Sequence, residues 1–402
     1  MIQVKSSKLI DMALLRSLLG SGRYHEAVAE LVSLLDQQAV SRDALALLKE
    51  AFNKYRCFSE ITDVILAWLE THQASFVLLE LLVDGYAHLG EMSAARVTFS
   101  KLLEKISTPS QVSTAIKHVP ALFQVTARYA VYQELLTLLN CEAMQQQPIV
   151  AVLEARILLM LAMGNIQQFN ILINRARISG ITSVKLKKLY AMEECLRTFN
   201  VLGSTSQKVF GIGLSKTGTT TLHEALSQLG LQSAHWTNSM TGQLLGDDDI
   251  PLFDALSDTS ISYRFEELYY AFPSAYFIYT HRSFSGWEKS LLKHFSGFKW
   301  GAGMQTFDEL KRHHQELTDF RYGDEWKNIH DRLYFNHASL ADAYKSFDQR
   351  VRSFFADKPN AHFLALDIVA GQGWSELCPF LNKPIPEKPF PWKYKSLQVY
   401  TT

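Results

Sequence analysis

Lys208-Val-Phe-Gly-Ile-Gly-Leu-Ser-Lys-Thr-Gly-Thr-Thr-Thr-Leu222 is the stretch whose reading decides the fold. Lys208 to Gly213 reads as a short apolar strand. Leu214 to Thr221 is a loop of small and hydroxyl residues. Leu222, Ala225, Leu226 and Leu229 then share one face of a helix that stops at Gly230. Strand, Gly/Thr loop, helix is the arrangement that cradles a phosphate, because loop amides and the helix dipole converge on one anion. An ATP or GTP loop reads GxxxxGK[ST], with Lys after the second Gly. Here Lys216 precedes Gly218, and that inversion argues against an ordinary NTPase or small-molecule kinase. A dinucleotide reading through Gly211 and Gly213 lacks the third Gly and the acidic residue after a second strand.

Downstream, Ser274-Ala-Tyr-Phe-Ile-Tyr-Thr280 reads as a buried strand, followed by His281-Arg282 and by a helix opened by a capping box from Ser285 to Glu288. Ser290 follows Arg282 by eight positions. A guanidinium fork and a hydroxyl suit phosphate oxygens. Further on, Phe363–Asp367 reads as a strand, then Gly373-Trp374 opens a helix that leads into a Pro-punctuated tail, Pro384 to Lys393.

The order Lys216-Thr217-Gly218-Thr219-Thr220 resembles the loop of the P-loop sulfotransferase superfamily, whose signature runs Lys-Ser/Thr-Gly-Thr-Thr. The spacing of Arg282 and Ser290, and the closing segment, extend the resemblance over about residues 208 to 395. It implies 3′-phosphoadenosine-5′-phosphosulfate (PAPS) as sulfonate donor, a hydroxyl or amine acceptor, and no metal. Ser215, Lys216, Thr217, Gly218, Thr219 and Thr220 would hold the 5′-phosphosulfate. Arg282 and Ser290 would hold the 3′-phosphate that distinguishes PAPS from ATP. Lys216 would stabilise charge on the leaving phosphate, the kind of electrostatic positioning that dominates such transfers.

A base for the acceptor hydroxyl is also required, and the family uses His or Glu/Asp at varying positions. Asp258, after an apparent strand Phe253–Ser257, is the first candidate, with a helix N-cap as its structural alternative. Asp254 and His235 come next, His235 after the apparent strand Leu231–Ala234, with a structural histidine as the favoured alternative. His281 neighbours a cation but points away from Arg282. The Arg-Lys-Gly loop of the small-molecule branch has no counterpart, and Lys393 or Lys395 would have to serve instead. The insert between Ser290 and Lys358 carries His294, Trp300, His313, His314, Trp326, His330 and Tyr334 and would line the acceptor site. His313 and His314 point about 100° apart on a helix and are no metal pair.

Residues 1 to about 200 read as helix after helix. Ala27, Ile61, Ala95, Leu135 and Phe169 each open the second helix of a pair, at steps of 34, 34, 40 and 34 residues. A 34-residue period resembles that of tetratricopeptide (TPR) repeats, which stack into a solenoid with a concave docking surface. An irregular helical bundle is the alternative. The expected fold is therefore an N-terminal TPR-like α-solenoid (1–200), a linker (201–207) and a three-layer α/β P-loop domain with a mainly parallel sheet (208–402).

Bulk composition bounds the rest. The 402 residues balance 40 Lys+Arg against 40 Asp+Glu, so no overall field draws the chain to nucleic acid or membrane. Cys57, Cys141, Cys195 and Cys378 stand singly, which fits a reducing cytoplasm. No stretch approaches the roughly 20 apolar residues that span a bilayer. Two rivals remain at this level: a TPR adaptor carrying an inactive PAPS-binding domain, and a kinase-like P-loop enzyme. A protein or polymer partner on the repeats fits either the enzyme or the adaptor.

Overall fold

The computed structural model describes residues 12–35, 47, 51, 58–295 and 306–391. Cys57, Trp300, Lys393 and Lys395 lie outside the described residues. By compactness the chain divides into two units, residues 1–105 with 295–304 and residues 106–294 with 305–402.

The first unit is helical: α1 (Met12–Gly20), α2 (Tyr24–Leu35), α3 (Phe58–Leu69), α4 (Phe76–His88) and α5 (Met92–Glu104). Each of these packs on its neighbour in sequence. Leu19, Ala27, Leu31, Ile61 and Ile65 lie in its core. Ala27, Ile61 and Ala95 each stand fourth in their helix and are wholly buried. The turn before α2 and the turn before α5 are built alike. Gly22 and Gly90 take φ of 81° and 76°. The next amide then reaches back five residues, Arg23 N to Leu18 O at 3.0 Å and Glu91 N to Tyr86 O at 2.9 Å. A left-handed glycine closing the preceding helix is the expected device.

The second unit opens with more helices: α6 (Pro109–Leu122), α7 (Val125–Asn140), α8 (Glu142–Gln145), α9 (Ile149–Ala162), α10 (Ile166–Ile178) and α11 (Val184–Leu202). Thr108 and Gln111 cap α6 reciprocally, and Pro109 takes the first turn, where its missing N–H is harmless. Phe169 is again fourth in its helix, after Gly164 at φ 69°. Leu135 differs. It is buried in the middle of α7, because that helix opens at Val125, ten residues before it rather than three.

The sheet follows: β1 (Val209–Gly211), β2 (Ser233–His235), β3 (Ala255–Ser257), β4 (Tyr276–Thr280) and β5 (His362–Leu366), in the order β2-β3-β1-β4-β5. All pairings are parallel. Strand side chains alternate between faces, and here the alternation sorts the helices into layers. Val209, Ala255, Ile278 and Leu366 pack with Leu222, Ala225 and Leu226 of α12 (Thr219–Gln228) and Leu377 of α19 (Trp374–Phe380). On the other face Phe210, Phe277 and Tyr279 meet an aromatic layer. That layer comes from α14 (Phe265–Ala271), which follows the short α13 (Thr259–Ser262), and from α18 (Leu340–Ala356), which follows α16 (Phe307–Glu316) and α17 (Gly323–His330). Phe277 lies 5.3 Å from Phe355, and Phe265 5.3 Å from Phe354. Helices on both faces of a parallel sheet are the three-layer solution that buries both.

The register levels the strand ends. Gly211 pairs with Ser257 and with Ile278, His235 with Ser257, and Thr280 with Leu366. The residues just past β1, β2, β3 and β4 therefore emerge at one edge, where ligands of such sheets bind.

Candidate active site

The loop past β1 is shaped by steric necessity. A Cβ on Gly213 would meet Thr280 Oγ1 at 1.9 Å and Thr217 Oγ1 at 2.5 Å, so only glycine lets β1 leave beside β4. The Thr217 amide and hydroxyl both bond Leu214 O, at 3.2 and 2.6 Å, and the hydroxyl also meets Thr280 Oγ1 at 2.8 Å. Lys216, inside that turn, takes φ 73°, and Gly218, N-cap of α12, takes φ 111°. Left-handed steps in such a loop turn successive amides toward one point, and α12 adds its N-terminal donors there. Thr219 and Thr220 begin that helix.

Distant segments pin the loop. The buried Trp287 indole, on α15 (Phe284–Phe295), donates to Ser215 O at 2.9 Å. The Ser215 amide donates to the Tyr334 hydroxyl at 3.0 Å. Tyr334 belongs to a π-helical turn, Asp331–Phe335, and burial drives its phenol pKa up. Tyr344 of α18 bonds Arg282 O, and its ring lies 5.1 Å from that of Trp287.

Arg282 leaves β4 toward the loop. Its Nη1 donates to Lys216 O at 3.2 Å. Its Nε is buried and has no hydrogen-bond partner among the described residues. Burial depresses the guanidinium's pKa, with Asp367 opposing. A desolvated donor left unpaired is the state an incoming anion relieves. Ser290 lies in the second turn of α15, half-buried, and no hydrogen bond joins it to Arg282 among the described residues.

His235 and Asp258 come together at this edge, though 23 residues separate them in sequence. His235 Nε2 lies 2.8 Å from Asp258 Oδ2, 3.2 Å from Thr219 Oγ1 and 3.3 Å from Thr220 Oγ1. Asp258 Oδ1 accepts the Thr259 amide at 2.7 Å and the Ser215 hydroxyl at 3.2 Å. The N-cap role and the site role thus coincide in one carboxylate. Burial opposes ionisation of Asp258, but His235 and the amide and hydroxyl donors outweigh it and hold its pKa below the usual range. Its backbone sits at φ 88°, ψ −175°, a region otherwise left to glycine.

The remaining candidates are placed elsewhere. Asp254 precedes β3 at the opposite end of the sheet, where its carboxylate accepts the Gln232 amide at 2.8 Å. In a parallel strand the first residue is the farthest from the loop. His281 is held by its amide on Leu366 O, and burial lowers its pKa, with Arg352 rather than Arg282 as the neighbouring cation. His314 is fully buried on Asp331. His330 stacks on Trp326 at 3.9 Å, and burial lowers its pKa to about 4. Trp236, directly after His235, meets the His330 and Tyr322 rings edge-on at 5.9 and 6.3 Å. No group of ligating side chains suited to a metal ion occurs among the described residues. No helix among them is long and apolar enough to cross a membrane.

Residues 208–399 match the sulfotransferase domain family. The chain is also 27% identical over 219 aligned residues to Ava biosynthesis cluster protein M of Aspergillus versicolor, covering 46% of this chain and 79% of that protein. Residues 208–399 thus carry a sulfotransferase-like domain, and the glycine-cradled loop with its basic flank lies within it.

Proposed function

We propose that residues 208–402 form a sulfotransferase domain that moves a sulfonate group from PAPS to a hydroxyl or amine acceptor. The observation that carries this reading is Arg282, anchored to Lys216 O yet keeping beside the loop a buried Nε with no partner among the described residues. In this reading the loop from Ser215 to Thr220 holds the 5′-phosphosulfate. Arg282 and Ser290 take the 3′-phosphate. The acceptor oxygen attacks sulfur in line, the bond from sulfur to the 5′-phosphate oxygen breaks, and Lys216 stabilises the electron pair left on that phosphate. The acceptor proton passes to a base drawn from the Asp258–His235 pair. No step calls for a metal. Residues 1–200, as a TPR-like solenoid joined through 201–207, supply a docking surface for a protein or polymer partner, and the chain works in the cytoplasm.

Calorimetric titration with adenosine 3′,5′-bisphosphate, beside AMP and ATP, tests the donor. Binding that requires the 3′-phosphate is expected. Equal binding of ATP, or no binding, would overturn the reading in favour of a kinase-like enzyme or an adaptor.

A further inference from the structure

We propose that the two candidate bases act as a pair with separate roles. His235 takes the acceptor's proton at Nδ1, and Asp258 is its positioning residue, fixing the imidazole through Nε2. The proposal rests on the sulfotransferase reading above and goes beyond it in assigning the atoms.

Asp258 is already engaged on both oxygens. Oδ1 accepts two donors, the Thr259 amide and the Ser215 hydroxyl, and Oδ2 faces His235 at 2.8 Å. Only a tenth of its side chain is exposed, against a fifth of that of His235. A base must offer a lone pair to an incoming O–H; three donors already face Asp258, against the roughly four acceptor positions of a carboxylate, and of the two side chains His235 is the more open. The nitrogen that faces an ionised carboxylate carries the proton, so the other nitrogen carries the lone pair. His235 Nδ1 makes no hydrogen bond among the described residues. The single proton on Nε2 goes to the shortest contact, Asp258. Thr219 and Thr220, at 3.2 and 3.3 Å from that same nitrogen, then find no lone pair there, and their hydroxyls stay available to a bound anion.

The backbone supports this assignment. Asp258 occupies a glycine-type conformation at φ 88°, ψ −175°, and Trp236, next to His235, takes φ 65°. Strain of this kind persists where surrounding contacts over-determine it, and it clusters at functional sites. The third leg, Ser215, belongs to the donor loop, so one carboxylate ties that loop to the base. In the transfer step the acceptor O–S bond forms as the O–H proton moves to Nδ1. The bond from sulfur to the 5′-phosphate oxygen breaks and its pair stays on that phosphate. Asp258 faces the resulting imidazolium.

Nuclear magnetic resonance on the full chain with ¹⁵N-labelled histidine reads the arrangement directly. The wild type should show a downfield proton on Nε2 of one histidine, assigned by its loss in His235→Gln. Asp258→Gly should abolish that signal in a chain that still folds, because glycine accepts the φ without strain and this offsets part of the stability lost with the Thr259, Ser215 and His235 contacts. With PAPS turnover as the second readout, His235→Gln should lower kcat about 10²–10⁴-fold, and Asp258→Asn should lower kcat with an unchanged KM for PAPS. A wild-type proton on Nδ1 with none on Nε2, or the same Nε2 signal in Asp258→Gly, would overturn the proposal. So would His235→Gln keeping its kcat while Asp258→Asn loses it, since Asp258 would then be the base. Absence of adenosine 3′,5′-bisphosphate binding by the wild type would instead overturn the parent reading, and the catalytic role of His235 with it, even with the Nε2 signal in place.

Discussion

The two ends of the five-stranded sheet bury charge in opposite ways. Where the strands begin, Lys208 Nζ donates to Phe253 O at 2.7 Å, and Asp254 accepts the Gln232 amide at 2.8 Å and the Cys195 thiol at 3.5 Å. None of these residues has a positive φ. Where the strands finish, Lys216, Trp236 and Asp258 take φ of 73°, 65° and 88°, and Arg282 keeps a buried Nε with no partner among the described residues. Both ends hold a lysine and an aspartate. The difference lies in strain and in which group goes unmet: an arginine Nε where the strands finish, against a neutral hydroxyl, Ser206 Oγ, near where β1 begins. A structural charged group is satisfied where it stands, whereas a binding group is held by its surroundings in a geometry that a ligand completes.

Exchanging the two lysines' fates is the sharpest way to break that comparison. Lys216→Ala should lower PAPS turnover about 10²–10³-fold and leave the melting temperature in place. Lys208→Met should do the reverse. Phe253 O would lose a buried donor, a loss of roughly 1–3 kcal/mol in urea titration, while turnover per folded molecule stays at the wild-type value. Equal losses of activity in both would erase the distinction between the ends. Next in size is Arg282→Ala, which should weaken adenosine 3′,5′-bisphosphate binding by about 1.5–3 kcal/mol and leave AMP binding unchanged in the same calorimeter. A matching loss for AMP would place Arg282 on the 5′-phosphate instead.

The sequence exposes the loop end better than it exposes the partnerships there. Gly213, Lys216 and Gly218 are legible because tight loops beside a strand need glycine, and Arg282 because it ends an apolar run. Asp258 and His235 are each visible as a polar residue closing a short strand, but nothing in one dimension says that the two strands are neighbours. Trp287, Tyr334 and Tyr344 reach the loop region from 72, 119 and 62 positions away, and such contacts leave no local trace. Asp254 looks as good as Asp258 in a hydrophobicity pattern. Only strand direction separates them, since β3 runs parallel to β1 and puts Asp254 at the far edge. Among the helices, the 34-residue spacing locates the helix openings at Ala27, Ile61, Ala95 and Phe169 but misses at Leu135, where a turn without glycine at Phe123-Gln124 resets the phase.

The smallest expected effect concerns a second buried carboxylate on the site side of the sheet and sharpens the contrast between paired and unpaired charge. Asp249 accepts Asn238 Nδ2 at 2.8 Å and the Gly246 amide at 3.0 Å, both neutral donors. Burial raises its pKa to about 6, with those two bonds opposing, whereas His235 helps to hold Asp258 below the usual range. The sign follows from proton binding. Between about pH 4 and 6 the folded chain holds a proton on Asp249 that the unfolded chain has released, so stability from this group falls as pH rises through that window. Asp249→Asn removes the titration. The Asn amide, set against one of the two donors, shifts the variant's stability equally at every pH and so cancels from the comparison. The variant should therefore improve on the wild type with rising pH, ending about 2 kcal/mol ahead at pH 7.5 relative to their difference at pH 4.5. Thermal melts of both proteins across that range give the answer. A difference that stays flat would mean that Asp249 is ionised throughout, and that neutral donors alone hold a buried carboxylate here as well as a histidine does.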